Sequence, residues 1–281
     1  MKTVIPLVLF TVVMPMACLS QTNTAERDAA GSLSKLDRMP ELLETRFALS
    51  AAPPHLRDRA TIFLLDPAKG YVLNRQGTNG VSCIVVRSDW QFEQPFRNDI
   101  YWAVCFDAEG SRTLLHDYLS AAELRARGLD SKQVHQQVTR KFGTSDYPNP
   151  SRTGVAYMIA PVMRGFTAAA EPQTMNMPHY MFYAPNVKDA DIGGNGFSKQ
   201  YPFVLGMSAG RDDYIIVLVG ETEKAKILTD SKDLLDDLCS YRDFIARRPR
   251  LKSAHLLTAI DRRIAPSFEL SDYGVYQDRP M

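Results

Sequence analysis

Side chains that usually announce chemistry are scarce in this chain. Only four of its 281 residues are cysteine and five are histidine. No two cysteines form a Cys-X-X-Cys pair, which argues against a zinc ribbon or a thioredoxin-type site. His55, His116, His135, His179 and His255 match no metal-ligand spacing. His55 follows a proline pair, His116 sits on the polar side of a helical stripe and His135 flanks an apolar one, so all three read as surface or structural residues. Neither sign of charge is in excess: 33 basic and 32 acidic residues give a formal net charge of +1. Such a chain has no global field to draw in a polyanion, and nucleic-acid binding is disfavoured. Beyond the first twenty residues no apolar run approaches the ~20 residues of a membrane span. The only Asn-X-Ser/Thr triplet, at Asn149, is blocked by Pro150.

The one long apolar run stands at the N-terminus. Lys2 precedes Val4–Met14, eleven residues, then Pro15-Met16-Ala17-Cys18-Leu19-Ser20 and the polar Gln21-Thr22-Asn23-Thr24. This is the pattern of a cleaved export signal, predicted over residues 1–20, with Cys18 and Ser20 as the small residues that a signal peptidase reads. The Met16-Ala17-Cys18 segment resembles the lipobox of bacterial lipoproteins, which implies lipid anchoring at Cys18. Pro15 departs from that pattern, so the soluble periplasmic or extracellular product is the preferred expectation. Lys2 is the only charged residue removed, leaving 32 basic against 32 acidic residues.

Hydrophobic content of 45% and aromatic content of 10% suit a packed core. Residues 21–59 read as a polar lead-in followed by a short helix over Pro40–Ala52, stopped by Pro53-Pro54. Residues 60–281 read as one domain, with a weak candidate boundary at 148–150. Thr61–Leu65, Tyr71–Arg75 and Val81–Arg87 are β-rich segments. Asp66–Gly70 and Asn79-Gly80 separate them, which predicts an antiparallel meander of hairpins. Asp99–Asp107 alternates with apolar residues on both faces, as in a strand covered from both sides. Ser111–Arg127 and Asp130–Phe142 switch to helical spacing. Strands are expected again at Gly154–Val162, Pro178–Ala184, Phe203–Leu205 and Tyr214–Val219. A late helix has Asp230, Asp233, Asp236 and Asp237 at its start and Arg247, Arg248, Arg250 and Lys252 at its end, an order that suits the helix dipole. The fold class predicted is α+β, a mostly antiparallel sheet with helices packed against it.

After cleavage Cys83, Cys105 and Cys239 remain. Cys83 and Cys105 fall in neighbouring predicted strands, and a disulfide between them is expected in an exported protein. Cys239 is expected to be buried in the late helix.

Three segments are weighed for chemistry. Gly206-Met207-Ser208-Ala209-Gly210 matches G-x-S-x-G, which resembles the nucleophile elbow of serine hydrolases and makes Ser208 a candidate nucleophile with His255 downstream. That elbow leads from a strand into a helix, whereas Tyr214–Val219 reads as a strand. In an extended Met175–Met181 segment, Met175, Met177, His179 and Met181 would share one face. Thioether and imidazole together suit Cu(I), although methionine more often simply fills a core. Asp189–Gly196 has the acids and glycines of a calcium loop but lacks an EF-hand's later ligands. Asp107 and Glu109, at a strand end, are a further carboxylate pair of the kind that glycosidases use. The function expected from sequence is non-catalytic binding of a small ligand or a protein, outside the cytoplasm. Copper handling through the Met/His segment and hydrolysis through Ser208 are the alternatives.

Overall fold

The computed structural model describes residues 36–91, 93–166, 172–206 and 213–247. Helix α1 (Glu41–Ser50) starts behind Pro40, with Glu41 and Glu44 in its first turn, where acidic side chains favour the helix dipole. Most of its side chains are buried, including the charged Glu44. Pro53-Pro54 ends it and opens a single-turn helix α2 (Pro54–Arg57), whose Pro54 occupies the first turn, where no backbone donor is missed.

Strands β1 (Thr61–Asp66) and β2 (Gly70–Arg75) form the first hairpin, and Gly70 takes φ 89° at its close. The second predicted hairpin is not formed. Strand β3 (Ser82–Val86) lies on the other side of β1 and runs parallel to it, pairing Thr61 with Ser82 and Ile62 with Cys83. Residues 76–81 instead cross beneath the start of β1. Thr78 N–H donates to Arg59 O at 2.8 Å, and Asn79 Nδ2 donates to Leu56 O at 2.8 Å. A Cβ on Gly77 would lie 2.3 Å from Arg59 O and Thr61 N, so only glycine passes here. Asn79 therefore serves as a backbone anchor rather than a hairpin turn.

The eight-stranded sheet has the order β2-β1-β3-β4-β5-β8-β10-β9, every pair antiparallel except β1–β3. Its remaining members are β4 (Trp102–Phe106), β5 (Val155–Met158), β8 (His179–Tyr183), β9 (Phe203–Leu205) and β10 (Tyr214–Leu218). A separate hairpin joins β6 (Met163–Phe166) to β7 (Pro172–Met175). The α+β class with a mostly antiparallel sheet is thus the architecture present. The sheet continues across Pro148–Pro150, but the β4–β5 seam is narrow: only Cys105 with Tyr157 and Phe106 with Ala156 are opposed.

Both faces of the sheet are covered. On one, α1 and the late helix α7 (Lys232–Arg247) bury Leu43, Phe47, Leu238 and Tyr241 against Ile62, Cys83, Val85 and Cys105. On the other, α3 (Ala108–Arg112) and α4 (Leu115–Ala126) bring Leu114, Leu115 and Tyr118 against Val86, Val104 and Phe106. Helix α5 (Ser131–Thr139), closed by an Asp130/Gln133 capping box, packs Val134 and Val138 around Trp90. Helix α6 (Glu221–Asp230) follows β10 and buries none of its side chains.

Cys83 and Cys105 stand directly opposite across β3 and β4 and are joined by a disulfide, as expected. Cys239 is half-buried on α7 rather than enclosed in the core.

Candidate functional site

A groove of about 440 Å³ opens where three segments meet: the end of β7 with its connection to β8, the stretch around Phe197, and the junction of β10 with α6. Sheet pairing builds two of these walls. Leu218 is opposed to His179, and Val219 N–H donates to Pro178 O at 3.1 Å, which fixes the β10–α6 junction beside the Asn176–Pro178 connection. Met175 ends β7 opposite Met163. Asn176 donates through Nδ2 to Pro161 O, while its buried Oδ1 has no partner.

The third wall is set by Asp189. This residue opens a short 3-10 turn (Asp189–Ile192), and its carboxylate accepts the backbone N–H groups of Val204, at 2.7 Å, and Gly196. Those bonds hold the glycine-rich loop to β9 and bring Phe197 edge-on to Phe203, ring centroids 5.1 Å apart. Both Asp189 oxygens thus act as loop anchors. Among the described residues no group of three His, Cys, Asp or Glu side chains is placed to hold a metal ion.

The Met/His segment is split by the fold. Met175 belongs to the β6–β7 hairpin, Met177 to the connection, and only His179 and Met181 lie on β8, where both face the core. The bend at residues 176–178 ends the continuous extension on which a shared four-residue face depends. Met175 and Met177 line the groove, whereas Met181 is packed with Ile216 and Tyr214. His179 is 3% exposed, and its Nδ1 meets Met177 O at 2.6 Å. A carbonyl only accepts, so Nδ1 carries the proton and Nε2 holds the lone pair. Burial lowers the imidazole pKa against the opposing pull of that carbonyl, favouring the neutral ring.

Ser208 lies outside the described residues, as do Met207 and Gly210. Its motif falls in the connection between β9 and β10, which are adjacent antiparallel strands, so a strand and not a helix follows it. His255 also lies outside the described residues. The carboxylates of Asp107 and Glu109 are engaged in holding structure together. Asp107 caps α3 through Gly110 N–H and also accepts Val155 N–H and Tyr183 OH. Glu109 accepts from Arg112 at 2.8 Å and from Ser151 N–H at 2.5 Å. Burial raises its pKa, but these donors prevail and hold it below the ordinary value.

A buried ionic cluster at the end of β3 had no signal in the sequence pattern. Arg87 is 1% exposed and donates through Nη2 to Asn98 O and to Tyr241 OH, both at 3.1 Å. Its Nε and Nη1 have no partner. Arg125 donates to Arg87 O, and burial together with the Arg87 charge pushes its pKa down to about 9. Burial pushes Glu44 up to about 7 against the opposing pull of Arg87. Burial likewise raises Asp89 to about 7, against the pull of the Gln91 backbone N–H. Such groups are often functional; here they sit in the closed interior between α1, α4 and α7.

No family model, curated protein or solved structure matches the chain.

Proposed function

We propose that this is an exported, non-catalytic protein that binds a small ligand in the groove between the β7–β8 connection, Phe197 and the start of α6. The observation that carries this reading is the groove itself. Its volume of about 440 Å³ falls within the ~300–1,000 Å³ of small-molecule sites, which are mainly apolar with a few polar groups. Met175, Met177, Phe197 and Leu218 supply the apolar side of a lining whose other side is polar, with Asn176, Lys199 and Lys224 among its groups. Export rests on the N-terminal pattern: recovery of a chain beginning at Gln21 from the extracytoplasmic fraction is the expected result.

The binding test uses N-phenyl-1-naphthylamine, a neutral apolar dye whose fluorescence rises out of water. The protein is expected to enhance it saturably, and Val219→Phe, which adds bulk to the groove wall, is expected to abolish the enhancement without lowering Tm. No enhancement by the unaltered protein, or enhancement unaffected by Val219→Phe, would overturn the reading.

A further inference from the structure

The groove's charged side chains are Lys199, Lys224 and Glu221, two cations against one anion. Glu221 is a poor neutraliser. Its side chain is 88% exposed and stands 4.0 Å from Lys224 Nζ, at the limit of an ion pair, and so solvated a pair contributes little. Lys199 is exposed and forms no ion pair among the described residues. Beside these ammonium groups lie the thioethers of Met175 and Met177, unbranched side chains that reshape around an irregular or flexible apolar body. Among the described residues Phe197 is the only aromatic ring in the lining, and no second ring there would enclose a stacked planar ligand.

We infer that the groove takes a dissolved single-chain amphiphile with an anionic head, a fatty carboxylate, with the tail against Met175, Met177 and Phe197 and the carboxylate near Lys199 and Lys224. This assignment rests on the ligand-binding reading of the same groove. The apolar lining supplies affinity and the lysines supply choice among heads. Because both ammonium groups keep contact with water, charge preference is modest, roughly three- to tenfold for the pair, and it shrinks as salt is added.

Dodecanoate, dodecanol and dodecylammonium, each below its micellar concentration, compete against N-phenyl-1-naphthylamine at low ionic strength. Dodecanoate is expected to displace the dye at a three- to tenfold lower concentration than dodecanol, with dodecylammonium the weakest. Lys199→Gln with Lys224→Gln closes that gap and leaves dodecanol unchanged, which also reports that the variant is folded. Equal displacement by dodecanoate and dodecanol, preference for the ammonium, or a gap that survives the double lysine substitution would overturn the ligand class while dye binding stands. Absence of dye binding would overturn both readings.

Discussion

Glu44 Oε1 accepts the backbone N–H of Leu65 at 2.8 Å, so a buried carboxyl on α1 completes the hydrogen bonding of β1. The bond ties the first helix to the sheet and places an ionisable group where burial favours its neutral form.

Stability should therefore fall as pH rises from about 4 to about 7. Burial raises Glu44 and Asp89 to about 7 in the folded protein. Between their unfolded values near 4 and about 7, the native state binds more protons than the unfolded state. Their stabilising contribution is full below that window and is lost as pH climbs through it, by about 3–4 kcal/mol per group. Asp99, held low by Arg97 and Arg164 despite burial, acts oppositely: its contribution is lost as pH falls through its depressed value. Denaturant titrations from pH 4 to 9 should find stability highest at the acidic end of that range, declining to about pH 7 and levelling above it. Asp89→Asn should flatten the decline and stabilise the protein above pH 7; an unchanged slope would refute the assignment.

Gly77 should tolerate no side chain. Gly77→Ala drives a methyl group into the backbone of Arg59–Thr61, and rigid backbone cannot yield cheaply, so a loss of about 3 kcal/mol or more is expected. Gly128, whose φ is 92° but which faces open space, supplies the contrast: Gly128→Ala should cost only about 1 kcal/mol of backbone strain. Chemical denaturation of the two variants measures the difference.

The Cys83–Cys105 bridge closes a sequence separation of 22 residues and is fully buried. Replacing both cysteines with alanine should cost about 3 kcal/mol. Dithiothreitol should reduce this bridge in denaturant and spare it in the native protein, as peptide mapping after differential alkylation would show.

Polar contacts add to the apolar packing that docks α7: Arg87 to Tyr241 OH at 3.1 Å, and Arg46 to Asp237 at 3.0 Å. Tyr241→Phe removes an acceptor from a buried guanidinium and should cost about 1–3 kcal/mol. Hydrogen exchange should quicken in 232–242 with little change in β3 and β4. Uniform acceleration throughout the sheet would show that α7 does not open separately.

The parts of the fold legible in the sequence are those whose determinants are local. Short runs rich in β-branched and aromatic residues mark the strands at Thr61–Asp66 and Tyr214–Leu218, and Asp130 with Gln133 marks a helix start. The side of β1 on which β3 lands is not local, since it depends on Gly77 slipping past the Arg59–Thr61 backbone. The β6–β7 hairpin also escapes pattern reading. Its Arg164 is buried because Asp99, 65 residues earlier, neutralises it at 3.1 Å. Of the groove, Met175 and Met177 stood out as unusual, although as a metal pattern. Leu218 and Lys224 gave no signal because β8 pairing with β10 brings them there, and Lys199 gave none because the Asp189-anchored loop places it.

The two opposed pairs between β4 and β5 leave a narrow join in the middle of a wide sheet. On one side lie α1, the disulfide and the buried arginines; on the other lie β8, β10 and the groove. Cooperative opening units in proteins tend to divide where few contacts cross. Here packing crosses the seam that pairing leaves narrow: one core runs from Val104 and Phe106 to Met158, Met181 and Ile216, and Tyr183 OH donates to Asp107, so an occupant of the groove should steady the disulfide-braced strands along with its own walls.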